Sequence, residues 1–517
     1  MLSKVKTVAL DGMEGVLVEI ETDISNNLPY FNIIGMADTS VREASDRVKR
    51  AIINSGYKYP KGKITVNLSP AYMHKKGSHY DLGIAIGVLL ADGSIECSVQ
   101  ETLFIGELSL GGEVLPSRAV LPMVMSILDN NVGNFKEIIL SIDNCPECYL
   151  LTKGTNIKLI PVRTLRETIG HLNGSKIQEY LGERTKDNKI ANSIDFLDVK
   201  GQNVAKEAII TAIAGNHNLL MIGPPGSGKS MLARRVSTIL PKMTLEEKIE
   251  TTKIYSYAGK LSVEQPIINE RPFRHMTPNV TAVSLLGGGN IAMPGEVSFA
   301  HNGILFLDEM LEFPSRALEQ LRVPLSDKKI NLVRKGKSVV FPAKFILIGA
   351  TNPCRCGFLG DPNQACICTQ TEINQYRSKL SGPLADRIDM AVEIQRVNYN
   401  ELEGRYDEAK PLSSKDMNEI IMRAREVQTK RYKDCPYSSN GDVSNKDITK
   451  YCELDMNCQK FMENIYNEKH ISPRRYHKIL RIARTIADIN QENEINIQHL
   501  ATAFHYTRFL SERGVQG

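Results

Sequence analysis

Leu219–Ile222 is an unbroken apolar run, and the eight residues after it are Gly223-Pro224-Pro225-Gly226-Ser227-Gly228-Lys229-Ser230. A helix-forming stretch, Met231-Leu232-Ala233-Arg234-Arg235, follows at once. Buried strand, glycine-rich turn and helix start, in that order, are what a phosphate-binding loop requires. The glycines let backbone N–H groups wrap phosphate oxygens. The helix N-terminus adds its partial positive charge. Lys229 is placed to reach the β- and γ-phosphates, and Ser230 to offer its hydroxyl to Mg²⁺. The feature implies an α/β core with ATP and Mg²⁺ as its expected ligands.

At 517 residues the chain is too long for one core, and its length suggests about three domains. Hydrophobic residues make up 42% and charged residues 24%, the balance of a soluble globular protein. A net charge of +5 permits nucleic acid as a partner without requiring it. No apolar stretch reaches the length of a membrane span, and residues 1–10 do not read as a secretory leader. The expected setting is the cytoplasm, with no membrane partner. In that reducing setting, metal ligation explains a cluster among the ten cysteines better than disulfides do.

Residues 1–170 read as an α+β domain. Residues 5–10 and 16–20 form strands of a hairpin around Asp11-Gly12, residues 40–54 a helix with a charged face, and residues 63–68 another strand. Residues 171–193 are polar and read as a linker. Residues 194–395 alternate strands and helices around the phosphate loop, the pattern of a parallel sheet covered on both faces. A second linker covers 396–412. Residues 413–517 carry apolar positions at helical spacing, such as Ile420, Ala424 and Val427, or Ile479, Ile482, Ala483 and Ile486, and read as a helical bundle.

Two further strands end in polar side chains. Ile304-Leu305-Phe306-Leu307 runs into Asp308-Glu309, which places two carboxylates at the edge where open α/β sheets bind ligands. Asp308 would help hold Mg²⁺ and Glu309 would polarise the attacking water. Phe345-Ile346-Leu347-Ile348-Gly349-Ala350-Thr351 ends in Asn352, an amide able to orient that water from the γ-phosphate side. Cys354, Cys356, Cys366 and Cys368 follow within fifteen residues and can close a tetrahedral site for a structural Zn²⁺. Reduced unmetallated thiols, disulfides or an iron–sulfur centre remain alternatives. Cys145 and Cys148 have no second pair nearby and read as a loop.

Together the phosphate loop, the Asp308-Glu309 strand and the Asn352 strand resemble the AAA+ ATPases. Within that group the chain resembles the YifB/ComM family of the magnesium-chelatase-like clade. Segments along the chain carry the likeness: Pro29-Tyr30-Phe31-Asn32-Ile33-Ile34-Gly35, Ile64-Thr65-Val66-Asn67-Leu68-Ser69-Pro70, Asn352-Pro353-Cys354-Arg355-Cys356-Gly357, Ser381-Gly382-Pro383-Leu384-Ala385-Asp386-Arg387 and Ile482-Ala483-Arg484-Thr485. The resemblance implies an AAA+ core, a C-terminal helical lid and an N-terminal ChlI-type domain with the fold of the Lon peptidase domain. It also implies that Arg387 is a finger reaching the γ-phosphate on a neighbouring subunit, and that Arg474 is the second sensor arginine of the lid. A finger acting in trans requires a ring, a hexamer as in related ATPases.

A Lon-like fold raises the alternative of an ATP-dependent peptidase. Such enzymes need a serine nucleophile and a lysine that eases its deprotonation. The serine position falls on His79, with Ser78 one place off, and the lysine position falls on Leu121, so the pair is missing. His79 reads as a packing or hydrogen-bonding residue.

Between the Glu309 and Asn352 strands, Arg334, Lys335 and Lys337 occupy the turn between two apolar arms, with no acidic residue from 328 to 337. The clade carries a pore hairpin there, and the glycine-rich stretch after Leu286 resembles its second pore insertion. A basic tip in a pore suits a phosphate backbone. The resemblance therefore implies an ATP-driven ring motor on DNA, with helicase or branch-migration activity in recombination or transformation. A chelatase-like ATPase that remodels a protein, and a switch that uses ATP only to assemble, are the other readings.

Overall fold

The computed structural model describes residues 2–130, 132–182, 194–289, 292–334, 337–397, 411–469 and 471–511. The second expected linker falls largely outside these, at 398–410, whereas of the first only 183–193 does, and 171–182 is described. The chain forms two compact units, and they do not follow the chain in order. One contains Met1–Asn188 together with Thr244–Asn269 and Val333–Phe341. The other contains Lys189–Met243, Glu270–Leu332 and Pro342–Gly517. Residues 194–395, continuous in sequence, are therefore divided between the two units.

The first unit is built on seven strands: β1 (Ser3–Asp11), β2 (Glu14–Ser25), β3 (Tyr30–Ile34), β4 (Lys63–Ser69), β5 (Thr102–Ile105), β6 (Glu137–Ser141) and β7 (Lys158–Val162). Their order across the sheet is β3-β4-β2-β1-β5-β6-β7, which leaves β3 at an edge. The β1–β2 hairpin is longer at both ends than its apolar runs suggest, with Ser3 opposite Thr22 and Asp11 opposite Glu14. The helix Ala44–Asn54 buries Ala44, Val48, Ala51 and Ile52, one stripe at helical spacing. It is separated from a short turn of helix, Thr39–Arg42, that is capped by the Asp38 carboxylate.

The Cys145–Cys148 stretch is a helix, Cys145–Thr152, which corrects the loop reading. Pro146 sits in its first turn, where a missing N–H does no harm. Both cysteines are fully buried, and burial pushes the Cys145 thiol up to about 12. They are core residues, small and apolar. His79 is also buried, its Nε2 2.8 Å from the Val8 carbonyl, and burial pulls its pKa down to about 4. The Ser78 hydroxyl donates to the Glu107 carboxylate. Neither side chain is arranged as an activated nucleophile.

The second unit carries five parallel strands: β8 (Leu219–Ile222), β9 (Phe273–Met276), β10 (Ile304–Leu307), β13 (Ile346–Thr351) and β14 (Met390–Glu393), in the order β9-β10-β13-β8-β14. Between β10 and β13, Lys329–Arg334 (β11) and Lys337–Pro342 (β12) pair as a separate two-stranded sheet. Every residue of β8, β10 and β13 is buried, as expected of strands covered on both faces. The C-terminal part is helical. Its helix Ser414–Arg431 starts at a capping box made by Ser413 and Asp416. That helix buries Met417, Ile421, Ala424 and Gln428, a stripe one position off the Ile420 and Val427 expected from sequence. In the helix Pro473–Ile489, Asp488 is buried between Arg431 at 2.6 Å and Arg484 at 3.0 Å.

Within the first unit, the helix Leu245–Tyr257 brings Ser256 to Glu147. The Ser256 hydroxyl donates to Glu147 Oε2 at 2.6 Å, and Asn144 Nδ2 donates to Oε1 at 2.7 Å. Burial nonetheless pushes the Glu147 carboxyl from 4.5 up to about 7, because these bonds only partly replace water. The folded state therefore holds this proton more tightly than the unfolded one. The stability it contributes is complete below about pH 4.5 and is lost as pH rises through about 7. Glu147→Gln should remove this dependence. Between pH 5 and 8 the wild type should lose up to about 3 kcal/mol relative to the variant, read as diverging Tm values. Parallel Tm curves would show that Glu147 is not held uncharged.

Candidate nucleotide-hydrolysis site

Strand register places the site. Ile222 at the end of β8 pairs with Thr351 of β13, and Leu307 at the end of β10 pairs with Gly349. The loops that follow, at Gly223, Asp308 and Asn352, therefore leave one edge of the sheet side by side. Gly226 and Gly228 take φ of 79° and 90°, backbone that L side chains resist. Gly228 then caps the helix Lys229–Arg235.

The side chains converge on this loop. Lys229 Nζ donates to the carbonyls of Gly223 at 2.7 Å and Pro224 at 2.8 Å, and lies 3.3 Å from Asn352 Oδ1. Burial lowers its pKa to about 8, against the pull of Asp308 and Glu309. Ser230 Oγ donates to Asp308 Oδ2 at 2.8 Å. These are the two groups that sequence assigned to Mg²⁺, and they touch directly. Glu309 follows with φ of 52°, a left-handed backbone that a non-glycine residue resists by about 1–2 kcal/mol. The turn leaves Glu309 exposed beside Asp308. Strain of this kind concentrates at functional positions.

His275 was missed by sequence reasoning. It lies in β9, level with Phe306 of β10, and stacks on that ring at 5.1 Å. Its Nε2 is 3.7 Å from Asp308 Oδ2. The strand is short and only partly buried, so no apolar run marks it.

Arg387 and Arg474 lie elsewhere. Arg387 precedes β14, whose Met390 is level with Leu219, the first residue of β8. It is therefore at the amino edge of the sheet, and β8 spans about 13 Å to the phosphate loop. Asn218 fixes it there. The Asn218 backbone N–H donates to Asp389 at 2.8 Å and its Nδ2 to the Arg387 carbonyl at 2.8 Å, while its Oδ1 accepts from Leu347 N at 2.8 Å. The Arg387 guanidinium donates to Ser326 Oγ at 2.9 Å and to the Pro383 carbonyl at 2.7 Å. Arg474 pairs with Asp386 at 2.8 Å. The two arginines thus share one edge, and Lys229, Ser230, Asp308, Glu309 and Asn352 share the other.

The cysteine loop adjoins the phosphate loop. The ligand atoms of Cys354, Cys356, Cys366 and Cys368 all lie within 4.8 Å of one another. Sulfur separations of 3.4, 3.5 and 3.7 Å among Cys354, Cys356 and Cys366 approach the ~3.8 Å edge of a tetrahedron with ~2.3 Å Zn–S bonds. Gly357, with φ of 88°, passes so close that a Cβ there would meet Pro225 Cδ at 2.7 Å.

At the basic hairpin Arg334 is exposed. Lys335 lies outside the described residues, as does the side chain of Lys337. The second insertion forms a small ladder, Gly287–Gly288 against Met293–Pro294. Asn290, between those strands, is outside the described residues. No helix among the described residues is long and apolar enough to cross a membrane.

Comparison with known proteins finds three matched segments. Residues 195–402 match the magnesium chelatase subunit ChlI family, residues 20–144 the subunit ChlI of Mg-chelatase, and residues 411–507 the ChlI C-terminal family. The competence protein ComM of Haemophilus influenzae is 36% identical over 502 residues, covering 96% of this chain and 95% of that protein. The protein YifB of Escherichia coli is 36% identical over 511 residues, 98% and 97% of the two chains. The magnesium-chelatase 67 kDa subunit of Chlorobaculum tepidum is 29% identical over 203 residues, 36% of this chain and 28% of that one. On three matched segments and near full-length identity, the chain belongs to the YifB/ComM family of magnesium-chelatase-like AAA+ ATPases.

Proposed function

We propose that this ATPase works as a ring whose sites are shared between neighbours, and that it spends ATP on moving along DNA and shifting a strand junction. The observation that carries the ring is the separation of Lys229 and Glu309 from Arg387 and Arg474 across one parallel sheet. A finger pinned to the amino edge serves a nucleotide held by another copy. The DNA part rests on the basic hairpin and on the full-length likeness to a competence protein. The chelatase subunit shares a much shorter stretch.

In this reading Ser230 and Asp308 would hold Mg²⁺, which when bound would supply positive charge to offset that developing on the phosphates. Lys229 exchanges the Gly223 and Pro224 carbonyls for phosphate oxygens. Glu309 orients and polarises the attacking water, with Asn352 facing it from the phosphate side. Arg387 of the neighbouring copy stabilises charge on the transferred group, and Arg474 reports nucleotide state beside it. The four cysteines fit a structural Zn²⁺ with no open position.

Arg387→Ala should still bind nucleotide and should lose about three to five decades of turnover. Mixing it with a Lys229→Ala variant should restore part of the activity, because some interfaces then pair an intact loop with an intact finger. A mixture as inactive as its components would remove the shared site. Forked DNA should stimulate the wild-type ATPase, with a stimulation that weakens steeply as salt rises. A flat response would favour the protein-remodelling reading. Purified protein should contain about one zinc per chain, and Cys356→Ser with Cys366→Ser should lose it. Zinc near zero in the wild type would leave the thiols unmetallated.

A further inference from the structure

The charge of the first unit is unevenly distributed. Residues 47–80 hold eight Lys or Arg and no Asp or Glu, and residues 24–37 hold no acidic residue either. These two stretches come together in space. Edge strand β3 pairs with β4 so that Tyr30 is level with Lys63 and Ile34 with Asn67. At the far end of β3, Lys75 bonds backbone to backbone with Met36 and Asp38, which brings the 70–76 turn alongside. At the near end, Lys49 Nζ lies 5.7 Å from the Tyr59 ring, joining the end of the helix Ala44–Asn54 to the 57–63 turn.

Two of the eight cations are spent internally. Arg47 pairs with buried Asp81 at 2.7 Å, and Lys75 is buried against the Pro70 carbonyl. The other six are Lys49, Arg50, Lys58, Lys61, Lys63 and Lys76. Lys63 is half-buried and the rest are exposed, and among the described residues none of the six makes an ion pair. Of the acidic groups near this edge, Glu19 and Glu21 are tied to Lys4, Glu21 also accepts from Asn67, and Asp38 caps a helix turn, while exposed Asp23 stands opposite Thr65 of β4 and exposed Asp46 lies near Tyr59.

Large apolar side chains stand among these cations. Tyr72 is 80% exposed, Tyr30 61% and Leu28 88%, and Ile34 and Met36 are both 45% exposed. An edge strand normally limits such exposure, because it invites unwanted pairing. A protein partner would accept the apolar groups but leave six cations to be neutralised. Cations with flat rings between them match a single-stranded backbone whose unpaired bases are free to stack. In a duplex the base faces are already covered.

We propose that this β3 edge, with Tyr30 and Tyr72 as stacking platforms and Lys58, Lys61 and Lys76 as phosphate contacts, is a binding surface for single-stranded DNA, separate from the basic hairpin. The choice of DNA over RNA rests on the function proposed above. The surface itself does not depend on the motor.

The test uses the full chain without nucleotide and a fluorescein-labelled 30-mer oligothymidylate, read by anisotropy. Tyr30→Ala with Tyr72→Ala should weaken binding by about five-fold or more. Lys58→Gln with Lys61→Gln should reduce the slope of log affinity against log salt by about 1.4, from ~0.7 per phosphate contact on a single strand. DNA-free ATPase activity should stay unchanged in both, showing that the fold is intact. Wild-type affinity and salt slope in these variants would overturn the proposal. So would an altered oligomeric state with DNA affinity intact, which would make the edge a contact between copies, or binding of oligouridylate only. Arg334→Gln with Lys337→Gln separates the two ideas. If that pair alone abolishes binding, the β3 surface falls and the motor stands. If the β3 variants abolish binding while forked DNA fails to stimulate the wild-type ATPase, the surface stands and the motor falls.

Discussion

Parallel, in-register pairing of β10, β13, β8 and β14 is the constraint on which the rest of the ATPase unit depends. Because all four strands run one way and their carboxyl ends fall within two residues of one another, every loop leaving a carboxyl end arrives at the same edge. Every segment entering an amino end arrives at the opposite one. Asn218 locks this arrangement by bonding through one side chain to β13 and to the segment before β14. Losing that amide would leave the buried Leu347 N–H unpaired, at a cost of about 1–3 kcal/mol. It would also free the Arg387 carbonyl. The placement of the arginine is therefore a property of the sheet rather than of its own loop.

The same geometry accounts for the electrostatics of the phosphate loop. Lys229 is half-desolvated, and its hydrogen-bond partners include two backbone carbonyls. Burial works against its charge, and Asp308 and Glu309 offset that only in part. A triphosphate would supply the negative charge the ammonium is short of and would release those carbonyls. Ser230 and Asp308, bonded to each other at 2.8 Å, likewise form a pair that a hard cation can enter with oxygen ligands on both sides. The turn at Glu309 holds the second carboxylate clear of the first through strained backbone.

How much of this was legible in sequence followed the range of the signal. The phosphate loop, the two carboxylates and Asn352 are each a strand plus its next few residues, so local pattern and sheet topology were enough to bring them together. The cysteines are close in the chain, and their convergence needed only a tight loop. His275 stayed hidden because its strand is four residues long and only partly buried. Its approach to Asp308 depends on pairing with β10. The helix at Cys145 was misread because two cysteines and a proline look like a turn, whereas burial makes them core. The stripe of the helix Ser414–Arg431 was displaced by one position because the packing partners, rather than the period, choose which face turns inward.

The interleaving of the two units had no local signal at all. Thr244–Asn269 and Val333–Phe341 lie in sequence between the phosphate loop and β13, yet they pack in the N-terminal unit. Tyr257 from one and Phe341 from the other meet edge-on at 5.5 Å there. Val339 lies against Gly12, at the tip of the β1–β2 hairpin, and Ser256 is the hydroxyl that satisfies Glu147. Residues 1–170 are consequently not an appendage that can be cut away. Their removal would uncover Phe341, which is completely buried, and strip the partners from the helix Leu245–Tyr257. Strand β12, which carries Val339 and Phe341, leads directly from the basic tip of the hairpin.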